Sequence, residues 1–507
     1  MSTLPSKIFH VADQQPHAPA LIAGEVTVSY GQFADAVLRL AGALSQLGVK
    51  KGDRAALMLP NVPHFCVSYY AILHLGAVVV PLNFMNDVND LRRQLTDSGA
   101  TVLITWQGFH KQAQAAVHQS PTSTLIYLGE KIPVQSYSLT QIMAAATPQA
   151  NGVEIDDDEP AVISYTSGIS DQALGAVMSH RALAANAATV AEMFRMGAQD
   201  RVPAVLPLFH PLGQTMVLHA TLASGGSVVL LPRFQPLEVI RTMQSRQATL
   251  LPAVPGMFRA FNELENDDLQ LPSLKCCLCY GGLLPQETQE AFENRFGTVI
   301  LKAYGLTEAG PLVSSSRIDR DRKENAVGLP LVGVEVQIRN EQGKILSPNQ
   351  RGEVFVKSPS LMLGYYHRPE ETARRLQDGW LATGDIGYLD IDHYLFIVER
   401  KDDIIHKGGF EIYPREVERV LLEFDGVDEA AVTSMPDPVH GAEVKAFVVL
   451  HRGGRPDARA LMEHCRSQLP VYQCPKVIEF VDKLPKSATG RILKRLLRQS
   501  GNRTARP

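Results

Sequence analysis

Phe33, Val37, Leu40, Leu44 and Leu47 recur at steps of four and three, which draws one apolar stripe along a helix. Gly48 then supplies a stop. The pattern changes period directly afterwards. Residues 54–59 read as a strand, 63–75 as a helix closed by Gly76, and 78–81 as a second strand. Residues 87–96 are again helical, and 101–105 form a β-branched strand. The same rhythm returns at 202–206, 227–231 and 299–303. Repeated strand–helix units of this length predict an α/β fold, with parallel sheets covered by helices.

The texture shifts near residue 325. Short strands at 334–339 and 352–357 flank a turn at Glu341-Gln-Gly343, as in a small β-rich subdomain. Beyond Arg400 a compact α+β unit is predicted: helix 414–423, strands 429–435 and 443–450, helix 458–468, strand 477–481. The expected division is therefore a large N-terminal domain of two helix-covered sheets at 1–401, with the β-rich subdomain at about 325–401, and a small mobile C-terminal domain at 402–507. The charged run Glu399-Arg-Lys-Asp-Asp403 is expected to be exposed, as a linker would be, and 498–507 to be a frayed basic tail.

Composition narrows the class. The 507 residues allow about three units at roughly 150 residues each. Apolar residues make up 45%, charged residues 20%, and the net charge is −4, which excludes a disordered chain and a polybasic nucleic-acid binder. Six cysteines are sparse. Cys276, Cys277 and Cys279 crowd one apolar run that reads as a buried strand, with no second cluster at zinc spacing. The N-terminus has no basic–apolar leader, and no apolar run approaches 18 residues, so a soluble, reducing, cytoplasmic setting is expected.

Candidate chemistry begins at Tyr165-Thr-Ser-Gly168, after the apolar strand 161–163 and before Gly175. Small hydroxylated residues and glycine after a strand can offer backbone N–H groups to phosphate. It is not a Walker loop, and alone it reads more readily as an ordinary turn. Five further stretches change that reading: Pro207-Leu-Phe-His210, Tyr304-Gly-Leu-Thr-Glu308, Trp380-Leu-Ala-Thr-Gly-Asp385, the run from Glu399 to Glu418, and Pro485-Lys-Ser-Ala-Thr-Gly-Arg491. In this order and spacing they resemble the adenylate-forming superfamily, specifically its acyl-CoA synthetases. The resemblance runs from the Ser29-Tyr30-Gly31 region to about Leu497.

The resemblance implies a two-step reaction. A carboxylic acid and ATP give an acyl-adenylate, whose AMP is then displaced by the thiol of CoA, so one hard step becomes two easier ones. It implies CoA and AMP or acyl-adenylate as bound species, with ATP and Mg²⁺ where adenylation is retained. Thr166, Ser167 and Gly168 would face phosphate. Tyr304 and Gly305 would lie beside adenine, with Gly281, Gly282 and Leu283 against its other side. Glu308 would hold Mg²⁺, a hard cation that prefers oxygen, and Thr307 would face the α-phosphate. Asp385 and Arg400 would serve the ribose, His210 the acyl-pocket mouth, and Asp402 the hinge between two domain arrangements. Lys407, Gly408, Gly409 and Phe410 match the loop that completes the CoA tunnel, where paired glycines admit a narrow pantetheine chain. Singly, each has a structural explanation: core aromatic, turn residue, helix cap or satisfied histidine. The ordered set favours function.

Two departures stand out. The family's phosphate loop usually reads Tyr-Thr-Ser-Gly-Thr/Ser-Thr-Gly-x-Pro-Lys-Gly. Here Ile169 replaces a hydroxyl, Asp171 replaces glycine, and Leu174 replaces lysine. Local charge moves by two units in the wrong direction for a triphosphate. The closing motif presents Arg491 where a lysine normally bridges carboxylate and phosphate, and a planar guanidinium is not a compact ammonium. Three readings follow. One is an acyl-CoA ligase working from acyl-adenylate, with adenylation weak or lost and a separate adenylating enzyme as partner. The second is a complete ATP-dependent synthetase. The third is a non-catalytic binder of acyl-adenylate, AMP or CoA. Apolar residues at 209–216, 254–258 and 280–284 point to a hydrophobic acid. No nucleic-acid partner is expected, and the assembly considered is a homodimer.

Overall fold

The computed structural model describes residues 3–166, 173–265, 268–451, 453–455, 457–486, 490 and 492–501. The chain divides into two compact units, one of Met1–Val336 with Val356–Ala382, the other of Gln337–Phe355 with Thr383–Pro507.

The first unit is built on helix-covered sheets. One has eight strands, in the order Gly364–Tyr365, Gly175–Ser179, Pro160–Tyr165, Val78–Pro81, Arg54–Met58, Val102–Trp106, Thr124–Leu128, Tyr137–Ser138. From Pro160–Tyr165 to Tyr137–Ser138 the neighbours run parallel, while Gly175–Ser179 returns antiparallel. Val78–Pro81 is buried at every position, which is why its sequence reads as an unbroken apolar run rather than an alternating one. The predicted stripe forms helix Tyr30–Gln46, with Phe33, Val37, Leu40 and Leu44 buried. Ser29 caps it, and Gln32 reaches back to close a capping box.

This unit has two further sheets. Arg201–Ala204, Ser227–Leu230, Pro19–Ala23 and Val26–Ser29 form one; Leu250–Ala253, Cys276–Cys279, Ile300–Tyr304, Ser314–Ser315 and Leu329–Pro330 form the other. They meet where Thr249 N–H donates to Arg201 O at 2.9 Å and Arg201 N–H donates to Thr249 Oγ1 at 3.1 Å. The α/β expectation of helix-covered sheets holds. All six cysteines are free and buried, so the thiols pack as small hydrophobes.

In the second unit the core gathers Ile405, Ile412, Val417, Val420, Val432 and Val448. A long hairpin of Val427–Asp437 and Gly441–Leu450 carries Val477–Phe480 parallel to its second strand. Helices Pro414–Leu422, Ala458–Gln468 and Lys494–Gly501 accompany it. Two expectations are corrected. Glu399, read as part of an exposed linker, is 1% exposed, because the Arg400 and Arg415 N–H groups donate to its carboxylate and Lys494 lies nearby. Residues 498–501, read as tail, end a helix, and Arg498 is ion-paired with Asp403. Among the described residues, no helix is long and apolar enough to cross a membrane.

Candidate functional site

In the first unit, the chemistry collects where parallel strands end, the place at which open α/β sheets bind ligands. Tyr165 pairs with Gly175 in the antiparallel hairpin, and Thr166 N–H donates to Leu174 O at 2.9 Å. That bond closes the mouth of the candidate phosphate loop. Tyr165 OH donates to Asp97 Oδ2 at 2.8 Å, which anchors the strand end. A Cβ on Gly175 would sit 2.7 Å from Ile163 Cγ2, so the glycine admits close packing of the hairpin. Ser167, Gly168, Ile169 and Asp171 lie outside the described residues.

Strands Cys276–Cys279 and Ile300–Tyr304 lie side by side and parallel, so the Gly281-Gly282-Leu283 turn and Tyr304-Gly305 leave neighbouring strand ends together. Tyr280 OH ties them by donating to Gly305 O at 2.9 Å. A Cβ at Gly305 would lie 1.8 Å from Pro311 O, so only glycine fits there. The turn that follows, Thr307–Ala309, is a short 3-10 helix ending at Gly310, whose φ is 94°. Met362 N–H donates to Glu308 O at 2.9 Å, and Tyr365 OH donates to Glu308 Oε1 at 2.7 Å. Among the described residues Glu308 Oε2 has no protein partner. One held oxygen and one open oxygen is a donor set that fits Mg²⁺ alongside phosphate oxygens.

His210 is part-exposed. Leu212 N–H donates to its Nδ1 at 3.2 Å, which leaves the ring proton on Nε2. Desolvation pulls this imidazole down to about 4, so it is neutral at pH 7. Its loop is pinned by buried Asn61, whose Nδ2 donates to Ala204 O at 2.7 Å and Leu206 O at 2.9 Å, while Leu208 N–H donates to its Oδ1 at 2.9 Å. Next comes a π-helical stretch, Gly213–Ala220. From it, Gln214 Nε2 donates to Phe209 O at 3.1 Å and Gln214 Oε1 accepts from Tyr69 OH at 3.1 Å. His219 stands between Tyr69 and Tyr70, 3.2 Å and 2.9 Å from their hydroxyls. Ser164, Pro211, Gln214, Thr215, Thr307 and Pro311 surround a cavity of only about 10 Å³, room for a single water. Strand, turn and histidine loop are thus packed against one another.

In the second unit, Asp385 and Arg400 are cross-strand partners, with Nε 2.9 Å from Oδ1 and both side chains largely buried. Asp402 is exposed in the turn Lys401–Asp403, and its carbonyl accepts from Arg498 at 3.4 Å. Lys407 and Phe410 face each other across a two-residue turn of Gly408 and Gly409, with φ of 56° and 89°. Arg491 lies outside the described residues.

Two other features are structural. A cavity of about 360 Å³ opens at the opposite, N-terminal ends of the parallel strands, beside Lys51, Arg54 and Pro160. Its cations are already engaged: Lys51 Nζ is 2.7 Å from Glu159, and Arg54 donates to the carbonyls of Ser98, Gly52 and Gly99. Asp437, His440 and Glu443 place ligand atoms within 4.8 Å of one another. Lys476 and Lys407, each at 2.8 Å, already balance the two carboxylates, which leaves no charge for a metal cation.

Sequence reasoning missed Tyr365, Asn61 and the Tyr69–His219–Tyr70 cluster. Their partners are 57, 147 and 150 residues away, so no local period marks them.

Comparison with known proteins follows the same outline. The AMP-binding enzyme family model matches residues 8–366, and the AMP-binding enzyme C-terminal domain matches 416–491. A long-chain-fatty-acid–CoA ligase of Bacillus subtilis is 34% identical, covering 98% of this chain and 94% of the relative. A feruloyl-CoA synthase of Amycolatopsis is also 34% identical, covering 95% and 96%. The crystal structure of ATP-bound MatB from Rhodopseudomonas palustris superposes with a TM-score of 0.92 at 29% identity, covering 99% of each chain.

Proposed function

The chain belongs to the AMP-binding enzyme family, and from that premise we propose that it is an acyl-CoA ligase that joins the acyl group of an acyl-adenylate to the thiol of CoA, with adenylation from ATP weak or lost. The observation that carries the second half is the hairpin between Tyr165 and Gly175. Its connecting residues hold one carboxylate, Asp171, and no cation, while Leu174 stands half-buried at the closed mouth. A triphosphate brings several negative charges to this point, and an acyl-adenylate brings one. An anionic loop therefore penalises ATP far more than it penalises the adenylate.

The residues take these roles in the proposal. Thr166, Ser167 and Gly168 offer backbone and hydroxyl donors to the single phosphate. Tyr304, Gly305 and the Gly281-Gly282-Leu283 turn flank adenine. Asp385 accepts from the ribose hydroxyls and Arg400 donates to the ribose. Thr307 faces the phosphate, His210 donates from Nε2 at the acyl mouth, and Arg491 supplies a cation from the closing motif. Asp402 is the hinge, and Lys407 to Phe410 border the thiol's path. The CoA thiol loses its proton to solvent, its sulfur forms a bond to the acyl carbon, the C–O bond to phosphate breaks, and AMP leaves with the electron pair. The acid is hydrophobic. Two relatives of equal identity bear the names of a fatty-acid and a feruloyl ligase, so identity alone does not choose between aliphatic and aromatic. A separate adenylating enzyme would supply the adenylate, and the working form is proposed to be a cytoplasmic homodimer.

One observation favours the complete two-step synthetase instead. Glu308 keeps one carboxylate oxygen open while Tyr365 holds the other, an arrangement suited to the Mg²⁺ that accompanies ATP.

Paired reactions separate the readings. Enzyme, Mg²⁺ and CoA receive either ATP with a panel of hydrophobic acids or the preformed acyl-adenylates, and acyl-CoA is read by mass spectrometry. Product from adenylates alone is expected. Comparable product from acid plus ATP would overturn the loss of adenylation, and no product in either arm would make the protein a binder.

A further inference from the structure

The hairpin Ile405–Lys407 and Phe410–Ile412 has three residues per strand, too few to hold its own shape in water. Its root is held by Ile405 and Ile412, buried in the core of the second unit. Among the described residues, three contacts hold its tip. Lys407 Nζ lies 2.8 Å from Glu443 Oε2, with the two side chains 14% and 6% exposed. Gly408 N–H donates to His440 O at 3.0 Å. Phe410 stacks on Tyr472 at 4.5 Å with planes 20° apart.

Of the three, the ion pair is the one whose loss forces movement. Glu443 is 4% exposed on strand Gly441–Leu450, so its carboxylate cannot follow the lysine into water. Without it, the carboxylate left beside the Lys407 ammonium is Asp437, which Lys476 already holds at 2.8 Å, and the four-carbon stem of Lys407 allows it to swing out to solvent. That swing pulls the strand residue before Gly408 away from the sheet beneath. Both glycines occupy left-handed backbone, so the turn itself offers little resistance.

We propose that Glu443 is a positioning residue for the thiol-transfer step: through Lys407 it fixes the tip of the Lys407–Phe410 hairpin in the place from which the hairpin guides CoA. This rests on the reading, given above, that the hairpin borders the path of the thiol. Lys407 then acts through its anchor, and its ammonium is not free to pair with a CoA phosphate.

The test uses the full chain with preformed acyl-adenylate and varied CoA. Glu443→Ala and Lys407→Met should each raise KM for CoA roughly tenfold, a loss of about 1.4 kcal/mol in CoA binding, while KM for the acyl-adenylate stays within twofold. The charge-exchanged double variant Lys407→Glu with Glu443→Lys should bring KM for CoA back toward the wild-type value. Hydrogen exchange should quicken across residues 405–412 in Glu443→Ala and remain unchanged across Tyr30–Gln46. Wild-type enzyme that makes no acyl-CoA overturns the reading of the hairpin. Active wild type with an unaltered KM for CoA in Glu443→Ala overturns the positioning role alone. Equal losses for CoA and adenylate, with no rescue by exchange, would make Glu443 a merely structural residue and also overturn it.

Discussion

Tyr365 OH donates to Glu308 Oε1 at 2.7 Å, and the Met362 N–H donates to the carbonyl of the same glutamate at 2.9 Å. Side chain and backbone of Glu308 are therefore both fixed by one short segment 54 to 57 residues further along the chain. Tyr365 is itself held. It pairs with Ala176 at the sheet edge, and its N–H donates to Thr372 Oγ1 at 2.9 Å. The carboxylate has one fixed direction and one open oxygen, as a positioned metal ligand requires.

Tyr365→Phe removes that donor and little else. A hydrogen bond to a charged group at a part-exposed site should cost about 1 kcal/mol of stability. Affinity for Mg²⁺–ATP, read by calorimetric titration, should fall roughly tenfold through loss of ligand orientation. Affinity for metal-free AMP should not change. Equal losses for both nucleotides would show that the tyrosine supports the pocket rather than the proposed metal ligand.

The loop chemistry gives a gain-of-function test. Asp171→Gly with Leu174→Lys restores the glycine and the lysine of the family's loop and changes local charge by two units toward a triphosphate. Pyrophosphate–ATP exchange dependent on a hydrophobic acid should rise at least tenfold, while thioester formation from preformed adenylate stays level. An unchanged exchange rate would mean that the loop is a diverged surface turn.

How much of this was legible in the sequence depends on how far apart the partners lie. The helix at Tyr30–Gln46 and the buried strand Cys276–Cys279 follow from local period and were readable. So was the order of the motifs, because parallel strands deliver their C-terminal ends to one side by topology alone. The supports were not readable. Glu399 looks like part of a charged linker, and only the fold shows that backbone N–H groups and Lys494 surround it. Lys407 looks like a free cation until Glu443, 36 positions later, is found beneath it. Arg498 looks like tail charge until Asp403 pairs with it.

Gly305 offers a steric test of the proposed adenine side. An added methyl would meet Pro311 O at 1.8 Å and its carbonyl carbon at 2.8 Å, and backbone cannot step aside as a side chain can. Gly305→Ala should therefore displace the 305–312 turn, which carries Thr307 and Glu308. The expected outcome is a loss of about 2 kcal/mol in stability, a typical overpacking cost, and AMP binding weakened at least tenfold. Gly297→Ala makes the control. Its added Cβ meets nothing within 4 Å, so only its φ of 63° is strained and AMP binding should be unaffected.

The last prediction concerns acid. Burial holds five imidazoles below their ordinary value of 6.5, His64 and His74 among them, and it pulls three furthest: His219 to about 3, His210 to about 4 and His180 to about 4. Each of these three is neutral in the folded protein at pH 5, where an unfolded histidine is mostly protonated. The unfolded state thus binds more protons throughout the window from 6.5 down to each folded value, and stability falls as pH falls through it. Below about pH 3 the loss is complete, since both states are then charged. His219 has the largest share because its ring is fully enclosed between Tyr69 and Tyr70. Between pH 7 and pH 5 it alone should cost about 2 kcal/mol, at 1.36 kcal/mol per unit over roughly 1.5 units. Urea unfolding at the two pH values checks this. His219→Gln, which keeps a polar group for the two hydroxyls but cannot titrate, should lower stability at pH 7 and flatten the pH dependence by close to one proton. A variant that kept the full wild-type slope would show that the acid sensitivity arises elsewhere.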